Sequence, residues 1–274
     1  MLNFSTRCNS QHKSNRFRSV GLVIGHQGLG DFIICNGLYR FLATKHSHLI
    51  VLVTATKIDS VKQMLGDVSN IKIATFHSWF EAKGAAFLRR LSSNYLLKVY
   101  KLGIYGSNFW QIDLHFDENF YFQVGIPFEY SYESFSVEYN VPREEHLTSL
   151  KLQERSPYVL IHQDIRRGFL IDKSLIGNSL PCIEVTETGG FTLFDYRKLI
   201  LGATEIHAIE GSLAAYVDRL PDVTAKLFAH RYARPEAASD RRLEFKYVKD
   251  WYVYHDSPMF GKKYSDPRRW IHDF

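Results

Sequence analysis

Residues 20–35 read VGLVIGHQGLGDFIIC, and their reading decides the fold class. The run Val20–Gly25 is apolar and ends in glycine, the look of a strand buried on both faces. Beyond Asp31, apolar residues recur at helical spacing: Phe32, Ile33, Leu38 and Leu42. Gly25, Gly28 and Gly30 lie between, where glycine lets the chain turn tightly and lets a ligand approach the backbone. A helix that starts here offers free N–H groups and a positive dipole end, suited to an anion or a polar sugar.

The same alternation continues outward. HLIVLVTAT (48–56) and IKIATF (71–76) read as buried strands, with a helix over KIDSVKQMLGD between them. A helix is predicted over 80–93, and WQIDLHF (110–116) reads as a fourth strand. The pattern changes over 127–155, which is aromatic and irregular and then polar and helical. A second series follows: YVLIH (158–162), PCIEV (181–185), a helix over 194–202, EIHAIE (205–210), a helix over 212–219 and VTAKLF (223–228). Strands alternating with helices predict parallel sheets built from βαβ units. The chain divides into a leader (1–17), an α/β unit over 18–142 and a second over 143–274, with a cleft between the two units. Ligands of such sheets sit beyond the carboxyl ends of the strands.

Composition narrows the function classes. The 274 residues are 45% hydrophobic and 15% aromatic, enough for packed cores. A net charge of +5 suits anionic small ligands or a membrane surface, and no dense basic stripe points to nucleic acid. Cys8, Cys35 and Cys182 are far apart, so neither a disulfide framework nor a zinc site is expected. The polar N-terminal residues do not read as a signal peptide, and no run of 18 apolar residues occurs. A cytoplasmic protein is expected, with an aromatic, basic tail that could pack back on the domains or touch the inner face of a membrane.

The turn at 25–31 is G-x-x-G-x-G, not the dinucleotide fingerprint G-x-G-x-x-G, and the second strand ends in VTATK without an acidic residue for a ribose. No Gly-Lys-Ser/Thr follows, so it is not a P-loop. Asp31 suits either of two roles: helix capping, or a general base that takes a proton from an acceptor hydroxyl.

GLGDFIICNGLYRFLA (28–43) resembles the N-terminal signature of heptosyltransferase-like (family 9-like) GT-B glycosyltransferases, in which a G-x-x-G-D turn opens the acceptor domain. The resemblance is specific over about 20 residues and otherwise covers the chain in layout only. It implies a GT-B-like fold, two Rossmann-like domains with parallel sheets facing a central cleft. It implies transfer of a sugar from a nucleotide-diphosphate donor to a hydroxyl of a glycan or lipid-linked saccharide. Asp31 would be the catalytic base, and Arg40 matches the arginine one helix later.

In the second half, His162 ends a strand and Arg166 and Arg167 follow, a plausible clamp for phosphate oxygens. In the GT-B enzymes that the chain resembles, basic groups at the corresponding turn contact the donor diphosphate. Gly211 and Ser212 stand between a strand and a helix; Ser212 could cap the helix while the free N–H groups hold a diphosphate. Gly28 and Gly30 join this phosphate-binding set, and Glu184 would hold ribose hydroxyls, with Glu210 as the competing choice. Glu118, Tyr121, Tyr130 and Tyr132 suit either packing of the domain junction or an acceptor surface. No D-x-D occurs, so no metal is expected, and the nucleotide sugar is a co-substrate rather than a cofactor. IRRGFLIDK (165–173) departs from the family's lysine-bearing segment, so the donor is not assigned to heptose by analogy. The alternative function is a non-catalytic nucleotide- or glycan-binding module of the same shape, and a third is a Rossmann-type oxidoreductase.

Overall fold

The computed structural model describes residues 19–76, 96–153, 156–165, 168–177, 179–186, 189–233 and 241–257. Nine strands form two sheets among these residues, and every pairing is parallel. The first sheet contains β1 (Ser19–Ile24), β2 (His48–Thr54), β3 (Ile71–Phe76) and β4 (Leu96–Lys101) in the order β3-β2-β1-β4. The second contains β5 (Val159–His162), β6 (Cys182–Glu184), β7 (Glu205–Ala208), β8 (Lys226–His230) and β9 (Trp251–Tyr254) in the order β6-β5-β7-β8-β9.

Strand order fixes where a ligand belongs. In the first sheet the chain steps from β1 outward to β2 and β3, then returns to place β4 on the other side of β1. In the second it steps from β5 to β6, then returns to place β7 on the other side of β5. Each reversal leaves a crevice beyond the carboxyl ends of the central strands. The turns after β1, β5 and β7 therefore occupy the two switch points.

The segment predicted as one helix from 31 to 45 is two, α1 (Leu29–Ile34) and α2 (Asn36–Lys45), with Cys35 between them at φ −83° and ψ 4°. Helix α3 (Ile58–Leu65) follows β2, α4 (Phe116–Val124) and the short α5 (Tyr130–Glu133) lie in the aromatic segment, and α6 (Val141–Leu152) leads to β5. Asn140 caps α6 by accepting from the Arg143 N–H at 3.2 Å, and Pro142 in its first turn forfeits no bond. Helix α7 (Arg197–Gly202) extends a 3₁₀ turn at Leu193–Tyr196, and α8 (Ser212–Arg219) follows β7.

The predicted fourth strand at 110–116 is a correction. Those residues form turns leading into α4, with the Gln111 N–H bound to Asn119 Oδ1 at 2.9 Å and Ile112 exposed. The alternation of WQIDLHF imitates a half-buried strand but has no sheet face to serve. The fourth strand is LLKVYK, whose signal is weak because it lies on the sheet edge with Lys98 and Val99 both exposed. The helix predicted over 80–93 lies outside the described residues. The tail does pack back in part: Trp251–Tyr254 extends the second sheet as β9, parallel to β8.

One contiguous apolar core joins the halves. It contains Val23, Phe32, Ile33 and Leu38 from the first half and Leu160, Ile206, Leu213 and Tyr216 from the second. Leu213–Val217 of α8 are all buried, and this helix packs against α1 of the first half. Close backbone approach is also required between α2 and α5, where a Cβ on Gly37 would collide with the Tyr130 carbonyl oxygen. Helix propensity alone would make Gly37→Ala stabilising by about 1 kcal/mol. The collision reverses the sign, and the substitution is expected to destabilise by about 3 kcal/mol or more. Urea unfolding of the variant against wild type checks it, and equal or greater stability would contradict the described packing.

Candidate active site between the two switch points

The first switch point is the turn from β1 into α1. Gln27 ties it down: its Nε2 donates to Gly25 O (2.9 Å) and Leu52 O (3.3 Å), and its Oε1 accepts from the Thr54 N–H (3.0 Å). Gly25 directly follows β1, and Leu52 and Thr54 belong to β2, so the turn is braced against the sheet. Gly28 sits at the N-cap, and a Cβ there would lie 2.7 Å from Asp31 Oδ2. Glycine therefore makes room for the Asp31 carboxylate over its own helix start. Asp31 stands in the first helical turn rather than at the cap, and no side-chain cap bond is made. Its side chain is 21% exposed, with Oδ2 3.8 Å from His26 Nδ1.

The second switch point lies directly against the first. A Cβ on Gly30 would lie 3.3 Å from the Ser212 N and 3.4 Å from the Gly211 carbonyl carbon. Two strand-to-helix turns far apart in sequence thus meet backbone to backbone, bringing Gly28, Gly30, Asp31, Gly211 and Ser212 together. Gly211 occupies the N-cap of α8 and Ser212 is the first helical residue, with no side-chain cap bond. The capping role expected of Ser212 is therefore corrected, because the cap position falls one residue earlier.

No protein-family model and no curated protein matches the chain. Among solved structures, the chain is similar to a glycosyl transferase family 9 protein from Veillonella parvula DSM 2008. Identity is 9%, with 88% of each chain covered and a TM-score of 0.52. The fold is GT-B-like. Two further similarities are to ADP-heptose lps heptosyltransferase II of E. coli (11% identity, 77% of this chain and 84% of that one, TM-score 0.44) and to the iron-containing dodecameric glycosyltransferase TibC of enterotoxigenic E. coli H10407 (13%, 88% and 63%, TM-score 0.47).

Within this GT-B-like frame the other residues take their places. His162 ends β5, and its carbonyl accepts from the Ile209 N–H at 3.2 Å. Arg166 and Arg167 lie outside the described residues. On either side of them in the sequence, Asp164 and Phe169 form an isolated antiparallel bridge. Glu184 ends β6, where Oε1 accepts from Gln163 Nε2 at 3.0 Å. Gln163 in turn accepts from the Ile171 N–H, so Glu184 is anchored to the switch-point loop.

Glu210 is turned into the protein. It is buried, and Oε1 accepts from Arg231 (2.7 Å) and from the Tyr247 hydroxyl (3.0 Å). Arg40 is likewise committed: it forms a fork on Asp67 with two contacts of 2.8 Å and also donates to Asn36, Met64 O and Ser136 O. Its donors serve the α2–α3 packing, in keeping with a structural role.

The aromatic middle segment packs the junction. The Tyr121 hydroxyl donates to Ile34 O (2.8 Å) and accepts from the Leu38 N–H (3.2 Å). The Tyr132 hydroxyl lies 2.9 Å from both Asp218 Oδ2 and Lys246 O, and Glu118 pairs with Lys246. Beneath them Asp117 and Arg219 face each other at 3.9 Å, both buried. Burial pushes the Asp117 carboxyl up to about 7 against the lowering pull of Arg219.

Three features of the turn were not read from sequence. Gln27 and His26 act through partners 25 and 78 residues away, so local pattern carries no trace of them. Cys35, directly after α1, is buried, and burial followed by the charge of Asp31 raises its thiol well above its ordinary value. It is a packing residue rather than a nucleophile. Among the described residues, no helix is long and apolar enough to cross a membrane.

Proposed function

We propose that this chain is a glycosyltransferase that moves a sugar from a nucleotide-diphosphate donor to a hydroxyl of a glycan or lipid-linked saccharide. The observation that carries the proposal is the contact between the Asp31 turn and the Gly211–Ser212 turn. It joins a partly exposed carboxylate to a helix N-terminus at the two switch points of a GT-B-like fold.

The roles follow from the chemistry. Asp31 takes the proton of the acceptor hydroxyl as its oxygen attacks the anomeric carbon. The bond from that carbon to the diphosphate breaks, and the nucleoside diphosphate leaves with the electron pair. Ser212 and the amide groups at the start of α8 stabilise the charge that develops on it, joined by Arg166 and Arg167. Glu184, fixed by Gln163, holds the ribose.

The test is consumption of donor. The protein is incubated with UDP-, GDP-, CMP- or ADP-sugars and an oligosaccharide and glycolipid extract. Release of nucleotide with an acceptor product heavier by one sugar residue supports transfer. Nucleotide binding without consumption would replace transfer by the binding-module function.

A further inference from the structure

We infer that His26 is a positioning residue for Asp31: a neutral imidazole that presents its Nδ1–H to the carboxylate. The inference rests on Asp31 as the base. The Ile104 N–H donates to His26 Nε2 at 3.0 Å, so this nitrogen keeps its lone pair. A neutral ring with an unprotonated Nε2 carries its hydrogen on Nδ1, the atom 3.8 Å from Asp31 Oδ2.

The ring is held from all sides. Tyr105, Phe109 and Phe120 meet it edge to face at centroid distances of 5.4, 5.8 and 5.3 Å, and Phe116 is tilted against it at 6.1 Å. His26 is 8% exposed. Gly103 completes the cage at φ +69°, where any Cβ would collide with the imidazole. This position requires glycine twice over, for its backbone angle and for the space His26 takes.

Asp31, by contrast, makes no side-chain hydrogen bond among the described residues and is the freer partner. A separation of 3.8 Å is too long for a direct hydrogen bond. This contact requires the carboxylate to turn so that one oxygen meets the Nδ1–H and the other remains for the acceptor. His26 thereby selects which carboxylate oxygen receives the acceptor proton, without touching the substrate.

The test uses the full chain labelled with ¹⁵N and ¹³C, without ligand, followed by turnover on the sugar nucleotide that the wild type consumes. The imidazole ¹⁵N spectrum is expected to show the Nδ1–H form for His26. The Asp31 carboxyl-carbon resonance is expected to move in His26→Leu and to return in His26→Asn, whose amide can place an N–H near Nδ1. In His26→Leu, kcat is expected to fall between about tenfold and a hundredfold with donor KM unchanged, and to recover in His26→Asn. An Nε2–H form, or an Asp31 resonance identical in all three proteins, would overturn the inference. The wild-type spectrum decides the tautomer even where a variant does not fold. A fully active Asp31→Asn would refute the base assignment instead, and the resonance comparison would still report the contact.

Discussion

Asp31→Asn is expected to lower kcat for sugar transfer by about 10²–10⁴ while leaving the fold and nucleotide binding near wild type. The size follows from removing a proton acceptor that no neighbour replaces. His26, 3.8 Å away, has one ring nitrogen committed to Ile104 and its ring is buried. The fold should tolerate the change, because Asp31 caps no helix and makes no side-chain hydrogen bond there. Asparagine also keeps the shape that fits under Gly28. Kinetics with a saturating donor, with thermal unfolding alongside, checks the expectation. Wild-type turnover by Asp31→Asn would show that the base lies elsewhere.

The second large effect concerns stability against pH. His207, His230 and Tyr232 form a buried chain. The Asp172 N–H donates to the Tyr232 hydroxyl (2.6 Å), which lies 2.9 Å from His230 Nδ1, and His230 Nε2 lies 2.9 Å from His207 Nδ1. With the tyrosine donating onward, each histidine has one nitrogen that must accept, so both are neutral. Burial, followed by His207, pushes His230 down to about 3, and burial lowers His207. Asp117 is shifted the opposite way, up to about 7 by burial.

The signs follow from linkage. His230 contributes stability that is present above the unfolded value near 6.5 and is lost as pH falls toward 3. Asp117 contributes stability that is present below its unfolded value near 4 and is lost as pH rises through 7. Each has a slope of about 1.4 kcal/mol per pH unit, and the two oppose each other between about pH 4 and 6.5. Relative to wild type, Asp117→Asn is expected to gain stability steadily as pH rises from 4 to 7, and His230→Gln to gain as pH falls from 6.5 to 4. Urea denaturation across that range reads the differences. Offsets that do not vary with pH would mean that neither group is shifted in the folded state.

The sequence revealed those parts whose causes are local. Strands buried on both faces announce themselves as unbroken apolar runs, as β1, β2 and β5 do, whereas β3, β6, β7 and β8 show as mixed runs set between helices. The helix predicted over 212–219 is the observed α8, because the preceding glycine marks its start. Two of the edge strands carry no such signal: β4 is partly exposed, and β9 lies in an aromatic tail that acquires a partner only when β8 is in place. At the site, the glycines and Asp31 stood out because turn chemistry is written in neighbouring residues. Their meeting with Gly211 and Ser212 depends on strand order, which spacing alone does not supply. The brace of Gln27 and the cage around His26 depend on chain segments far away, and Glu210 looked available until Arg231 and Tyr247 were placed against it.

A thermal-shift panel of UDP, GDP, CMP and ADP, their common sugar conjugates and NAD(P) tests the donor-site claim most directly. A ligand at 100 times its dissociation constant stabilises the fold by about 2.7 kcal/mol, or roughly 5 °C for a chain of this length. The expected result is a shift with one nucleotide family and its sugar conjugates. No shift with any nucleotide, or a shift with NAD(P) alone, would contradict a nucleotide-sugar site between the two switch points.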